Sequence, residues 1–166
     1  RVVAFKRLYS VDIGASSAGY SIEFWVNSTS SATFLSWNGG ASLFLFDGNR
    51  LAGNLREING TNHSFDSYSL GGSPMWTYLK PWNHVVITYD RPTGNVRMYE
   101  DGVLMQNVNF GSYALDTRGD FILGSPAGFV GSLDEVTLYR RPLTATEVSS
   151  IYNAGALGKQ PPVVNL

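Results

Sequence analysis

The chain has 166 residues, the length of one ordinary domain, and it contains no cysteine, which excludes disulfides, thiol catalysis and cysteine-ligated zinc. The net charge of −1 and the lack of any Lys/Arg block argue against a nucleic-acid partner, and no apolar run approaches the roughly 20 residues of a membrane-spanning helix. Only 15% of residues are charged, whereas Gly, Ser, Asn and aromatic residues are frequent, which is typical of strands joined by turns.

Strand patterns dominate the chain from residue 20 onward. Residues 20–27 alternate between apolar and other positions, which predicts a strand with Phe24 on one face and Trp25 on the other. Residues 82–90 are rich in β-branched side chains, and a turn at 91–95 leads into a partner strand. Further strands are predicted at 43–46, 96–99, 103–105, 121–123 and 133–139. Many short strands without intervening helices predict a sandwich or jelly roll.

One helix is marked near the end of the chain. Thr144 and Glu147 have the spacing of a capping box, apolar residues follow at helical spacing, and Gly155 is placed to end the helix. Residues 158–166 contain adjacent prolines and have the composition of a linker. We therefore expect one domain over residues 1–157 and a linker or tail over residues 158–166.

Three stretches, in this order, resemble laminin G-like domains of the concanavalin A-like lectin and glucanase type. They are residues 20–26, residues 82–103 and residues 131–155. The middle stretch contains Trp-x-His-Val-x-x-Thr-Tyr-Asp and then Tyr-x-Asp-Gly, in which Asp101 stands where the family usually has Asn. The resemblance implies an all-β fold, a two-sheet antiparallel jelly-roll sandwich with one short C-terminal helix. It also implies carbohydrate or protein recognition, often with one calcium ion.

The same type of scaffold carries some glycoside hydrolases, which need two carboxylates flanking the scissile bond. Asp134 and Glu135 are the best acidic pair, but adjacent strand residues point to opposite faces, so we expect that these two cannot share a substrate. Neither histidine belongs to a hydrolase motif; we expect His84 to be structural and His63 to lie in an exposed loop. We therefore expect a domain that is not an enzyme.

Asp134 is the first candidate metal ligand. By alternation it shares a face with Val136 and Leu138, the likelier core side, where a carboxylate needs a cation or hydrogen-bond donors. It is either a calcium ligand at the rim of the sandwich, completed by backbone carbonyls, or a carboxylate satisfied by turn N–H groups or an arginine. Asp12 is the second candidate ligand, with a solvated turn acid as its alternative.

Aromatic rings beside amides in Gly-rich loops are typical of sugar sites, because the apolar sugar face stacks on the ring. Trp37 and Trp76 lie in such loops; alternatively, each folds down over the core edge. The polar side of a strand through Arg56 could line a groove, or it is simply a solvated sheet face. Trp25 and Trp82 are expected to be packing residues. The predicted ligand-binding residues are Trp37, Asn38, Arg56, Asn62, Trp76 and Tyr78.

These observations predict a lectin-like, non-catalytic recognition module within a larger extracellular, cell-surface or virion-surface protein. We expect its partner to be a glycan or cell-surface polysaccharide, with calcium as a structural ion. One alternative is a structural or protein-interaction domain, such as a spacer, adhesin or coat module. The other is an atypical glycoside hydrolase.

Overall fold

The computed structural model describes residues 6–8, 11–28, 32–46, 50–67, 82–124 and 129–155. The predicted ligand-binding residues Trp76 and Tyr78 lie outside the described residues, as does the tail 158–166. In the described part of the chain, no helix has the length and apolar character needed to span a bilayer.

The described elements are strands followed by one helix. The strands are β1 (Lys6–Leu8), β2 (Gly19–Ser28), β3 (Thr33–Trp37), β4 (Ser42–Phe46), β5 (Arg50–Arg56), β6 (Asn62–Asp66), β7 (Asn83–Asp90), β8 (Asn95–Glu100), β9 (Val103–Asn109), β10 (Phe121–Leu123) and β11 (Gly131–Tyr139). The helix α1 spans Ala145–Ala154.

The strands form two antiparallel sheets. The six-stranded sheet has the order β1-β10-β3-β4-β5-β6, and the five-stranded sheet has the order β11-β2-β7-β8-β9. Non-consecutive neighbours such as β10 beside β3 are the crossovers expected of a jelly roll. The predicted fold class, a two-sheet jelly-roll sandwich with a short C-terminal helix, is therefore confirmed.

The core lies between the sheets because the inward positions of each strand are apolar. On β2, Ile22, Phe24 and Val26 have no exposed surface, which confirms the predicted alternation. On β5 of the facing sheet, Leu51 and Leu55 are buried in the same core cluster. Full burial of each such side chain contributes about 1.5–3 kcal/mol to folding.

Helix α1 covers part of the outer face of the five-stranded sheet. The predicted capping box is present: Glu147 N donates to Thr144 Oγ1 at 3.2 Å, and Thr144 N donates to a carboxylate oxygen of Glu147 at 2.8 Å. Val148 is fully buried and packs with Val86 and Tyr99 of the sheet. The helix thus gives the outer sheet face a second, smaller apolar core.

Candidate functional site

A β-bulge interrupts β11 in the middle of the strand. Asp134 stands opposite Trp25, and pairing resumes with Thr137 opposite Glu23, so two residues of β11 face one residue of β2. Glu135 lies in this bulge with a left-handed φ of 49°, a conformation that is uncommon for a residue other than glycine. The extra residue shifts the alternation of side chains between the two halves of the strand.

The bulge places Asp134 on the outer face of the sheet. We expected this residue to share the core face with Val136 and Leu138; that assignment is wrong, because Asp134 is exposed and only the two apolar side chains pack against the core. The Oδ1 atom of Asp134 accepts a 2.8 Å hydrogen bond from the backbone N–H of Glu135. The carboxylate is therefore held at the surface by the backbone of its own bulge.

Two tryptophans and two acids line a pocket of about 220 Å³ on this outer face. The described part of its wall consists of Trp25, Trp82, Asp134 and Glu135. Trp25 faces outward because its β2 neighbours on either side face the core. Trp82 lies one residue before β7 and two residues before His84, so both side chains point to the same face of the sheet. His84 is paired directly with Trp25 on the neighbouring strand. Register thus brings both rings to the same side of the sheet.

The Trp25 ring is braced by residues of the sheet and of the helix. Its centroid lies 6.0 Å from that of Tyr152 on α1, with an angle of 22° between the planes. The His84 ring is 5.0 Å away and tilted by 43°. Contact with two neighbouring rings restricts the orientation of the Trp25 indole at the pocket wall.

A buried polar cluster lies beside this wall. Glu23 has no exposed surface, and its Oε2 atom accepts a 2.6 Å hydrogen bond from the phenol of Tyr139, while its Oε1 atom is 3.4 Å from Nε2 of His84. Burial, followed by the hydrogen bond and charge of Glu23, raises the pKa of Tyr139 far above its usual value. His84 is fully buried, which fits its expected structural role, although its Nδ1 atom has no hydrogen-bond partner among the described residues.

Trp37 is a core residue, and its assignment to a sugar site is corrected. Its side chain is 2% exposed, its ring centroid lies 4.7 Å from that of Phe121, and its Nε1 donates a 2.9 Å hydrogen bond to the Val11 carbonyl. No ring face is free to stack on a ligand. The adjacent Asn38 is exposed in the turn between β3 and β4, away from the tryptophan pocket on the other sheet.

Arg56 and Asn62 are brought together as register partners on the outer face of the six-stranded sheet. Asn54 lies on the same face and donates a 3.3 Å hydrogen bond from its side-chain amide to Asn62. Leu51 and Leu55 of the same strand point to the core. The structure therefore contains a polar strip at these residues, but it is on a different sheet from the tryptophan pocket.

The two predicted calcium ligands have separate surroundings. The Oδ1 atom of Asp12 accepts hydrogen bonds from Gly14 N at 3.0 Å and from Thr117 Oγ1 at 2.5 Å, whereas Asp134 lines the tryptophan pocket. Among the described residues no group of three or more His, Cys, Asp or Glu side chains is arranged to hold a metal ion. Calcium binding by Asp134 and Asp12, with backbone carbonyls completing the site, stays a prediction.

His63 is not an exposed loop residue as we expected. It lies on β6 with its side chain 15% exposed, and its Nε2 atom is 2.6 Å from Oε1 of Glu57. Its ring stacks on Phe110 at 4.7 Å and is tilted against Tyr113 at 4.9 Å. These contacts pack the start of β6 against the segment that follows β9 of the other sheet.

Three of the four described pocket residues were not predicted to be binding residues: Trp25, Trp82 and Glu135. One signal pointed to Trp25, because this residue shares its strand face with a glutamate and an asparagine. No sequence pattern around Glu135 predicts its left-handed backbone conformation, so its place in the pocket was not predictable.

The sequence matches a protein-family profile whose fold is the one seen in the structure. The profile described as the concanavalin A-like lectin/glucanases superfamily matches residues 7–149. No curated protein sequence matches the chain.

Solved structures with the same fold include binding domains of toxins. The botulinum neurotoxin serotype G binding domain superposes with a TM-score of 0.65 at 23% identity, over 85% of this chain and 36% of that one. The binding domain of botulinum neurotoxin DC, solved in complex with rat synaptotagmin II, gives 0.60 at 18% identity, over 84% and 36% of the two chains. The chain thus spans little more than a third of these toxin domains.

A second kind of relative is nearer in size. The heptameric SAP-like pentraxin from Limulus polyphemus gives a TM-score of 0.65 at 12% identity, over 97% of this chain and 80% of that one. At these identities the solved structures establish the fold alone. The match of the family profile over most of the chain goes further: this chain belongs to the concanavalin A-like lectin/glucanase superfamily.

Proposed function

We propose that the domain is a glycan-recognition module of an extracellular, cell-surface or virion-surface protein, and that it binds through the tryptophan pocket. The observation that carries the proposal is the convergence of Trp25, Trp82, Asp134 and Glu135 around one pocket on the sheet face that α1 partly covers. Membership of a lectin-like superfamily supports the same class of partner.

The chemistry of the pocket suits a sugar residue. An indole face offers apolar surface to the C–H face of a pyranose, and a carboxylate accepts hydrogen bonds from sugar hydroxyls. The volume of about 220 Å³ is below the roughly 300–1,000 Å³ of sites for drug-sized ligands. This size favours the terminal residue of a glycan over an internal stretch of a polysaccharide.

A glycoside hydrolase is the second candidate, and one finding favours it. Adjacent residues of a regular strand point to opposite faces, but the bulge lets Asp134 and Glu135 line the same pocket. A hydrolase would release reducing sugar from the bound glycan, whereas a recognition module would return it intact. The binding experiment therefore includes an assay for glycan cleavage.

The test is a glycan array followed by calorimetry on the hits, with and without a chelator. We expect Trp25→Ala and Trp82→Ala each to weaken binding about tenfold or more, the equivalent of about 1.4 kcal/mol. Arg56→Ala on the opposite sheet is the matched control and should leave the affinity unchanged.

Trp82→Ala is the more informative variant, because Trp25 also packs against α1 and its loss could disturb folding. Thermal unfolding of each variant separates the two effects. Binding that survives both substitutions would move the site away from this pocket. An affinity that falls in chelator would support the predicted structural calcium ion.

A further inference from the structure

We propose that the tryptophan pocket selects a glycan whose terminal residue carries a protonated amino group, such as a hexosamine that is not N-acetylated. This inference rests on the proposed function and names the chemical class of its ligand. It follows from the combination of aromatic rings and a carboxylate at one site, together with the charges that are present nearby.

The aromatic wall attracts cations. Trp25 and Trp82 both line the pocket, and the negative face of an indole is the best side-chain partner for an ammonium group. A neutral sugar gains only the apolar contact from these rings. A protonated amine on the same sugar gains the electrostatic attraction in addition, because the partly enclosed pocket screens it less than open solvent would.

The carboxylate of Asp134 supplies a partner for the amine. Its Oδ1 atom accepts a 2.8 Å hydrogen bond from the N–H of Glu135, which restricts the direction of the group, and within the described residues neither oxygen takes part in an ion pair. A hydrogen bond between an ammonium and a carboxylate is about twice as strong as one between neutral groups. The bulge thus presents a fixed acceptor next to the aromatic wall.

No cationic side chain lines the described wall of the pocket. At this described part of the wall, a sulfated or carboxylated glycan would meet the carboxylate of Asp134, and like-charge contact disfavours it. The carboxylate that attracts an amino sugar therefore repels an acidic one. The expected order of affinity is amino sugar, then neutral N-acetylated sugar, then acidic sugar.

The experiment compares two oligosaccharides that differ only in the substituent on nitrogen. Glucosamine and N-acetylglucosamine oligomers of the same length are titrated into the full chain by calorimetry at a pH where the amine is protonated. We expect the amine form to bind about tenfold more tightly, with a preference that shrinks as salt is added. Asp134→Asn should remove most of that preference by weakening the amine form.

Asp90→Asn is the matched control, since Asp90 lies at the opposite end of β7 from Trp82 and accepts a 2.7 Å hydrogen bond from Thr93 instead of lining the pocket. It should keep the preference of the parent. Thermal unfolding establishes that both variants are folded. Equal affinity of the parent for the two oligomers, with both dependent on Trp82, would overturn this inference and leave the proposed function standing. An absence of binding to any glycan would overturn both.

Discussion

The phenol of Tyr139 donates a 2.6 Å hydrogen bond to Oε2 of Glu23, a carboxylate with no exposed surface. The bond joins β11 to β2 on the sheet face where α1 packs. A buried carboxylate is costly unless donors compensate it, so this contact helps to keep an acid beneath the helix that braces the Trp25 ring.

Tyr139→Phe should therefore destabilise the domain by about 1–3 kcal/mol, because it leaves a lone pair of buried Glu23 without its donor. The measurement is urea unfolding followed by circular dichroism. Tyr152→Phe is the control: it keeps the ring stacked on Trp25, and its hydroxyl has no hydrogen bond within the described residues. A loss of stability as large in the control as in Tyr139→Phe would contradict the assignment.

Glu147 predicts a pH dependence of stability. The hydrogen bonds from Arg141, above all, and from Thr144 lower the pKa of Glu147 from the usual 4.5 to about 2. A depressed pKa in the folded state means that the contribution to stability is complete above pH 4.5 and is lost as the pH falls from 4.5 to 2. Unfolding curves over this window should show the loss in the parent.

Glu147→Gln removes the titrating group while retaining a capping-box side chain. The variant should be less stable than the parent at neutral pH, and the difference between the two should shrink as the pH falls from 4.5 to 2. A difference that stays constant over that range would mean that the Arg141 contact does not stabilise the folded state.

Alanine substitutions at two glycines with similar φ angles can distinguish the cost of backbone strain from the cost of a steric clash. Gly94 has φ 74° and Gly39 has φ 77°, so an alanine is strained to a similar degree at either position. A Cβ at Gly94 would lie 2.6 Å from the Cα of Gly111, whereas a Cβ at Gly39 would meet no atom within 4 Å. Gly94→Ala should therefore cost clearly more than the about 1 kcal/mol expected for Gly39→Ala, as measured by thermal unfolding. Equal losses would contradict the close approach of the two turns.

Local patterns in the sequence predicted the parts of the fold that depend on short-range physics. The alternation around Phe24 and the capping box at Thr144 are both present, because side-chain periodicity and helix capping involve residues close in sequence. Pairing between strands was not predictable in the same way. One extra residue at Glu135 moved Asp134 to the opposite face, and only the register with β2 reveals it.

The core position of Trp37 was not predicted for a similar reason, namely contacts with residues distant in sequence. Its neighbours Asn38 and Gly39 have turn chemistry, which suggested an exposed ring. The ring is instead drawn into the core by Phe121 and by the Val11 carbonyl, both distant in sequence. Residues that belong to the pocket were missed for the converse reason, since Trp25 and Trp82 occupy strand positions where a packing role was expected.

Trp37 and Trp82 should accordingly respond in opposite ways to substitution. Trp37→Phe removes the hydrogen bond to the Val11 carbonyl and leaves a void in the core, so we expect a loss of about 2 kcal/mol in the free energy of unfolding with no change in glycan affinity. Trp82→Phe keeps an aromatic ring at the pocket but offers the ligand less surface. It should weaken glycan binding while changing stability by less than Trp37→Phe does. Urea unfolding measures the stability of the two variants, and calorimetry measures their glycan affinity. A loss of affinity in Trp37→Phe but not in Trp82→Phe would place the binding site on the other sheet.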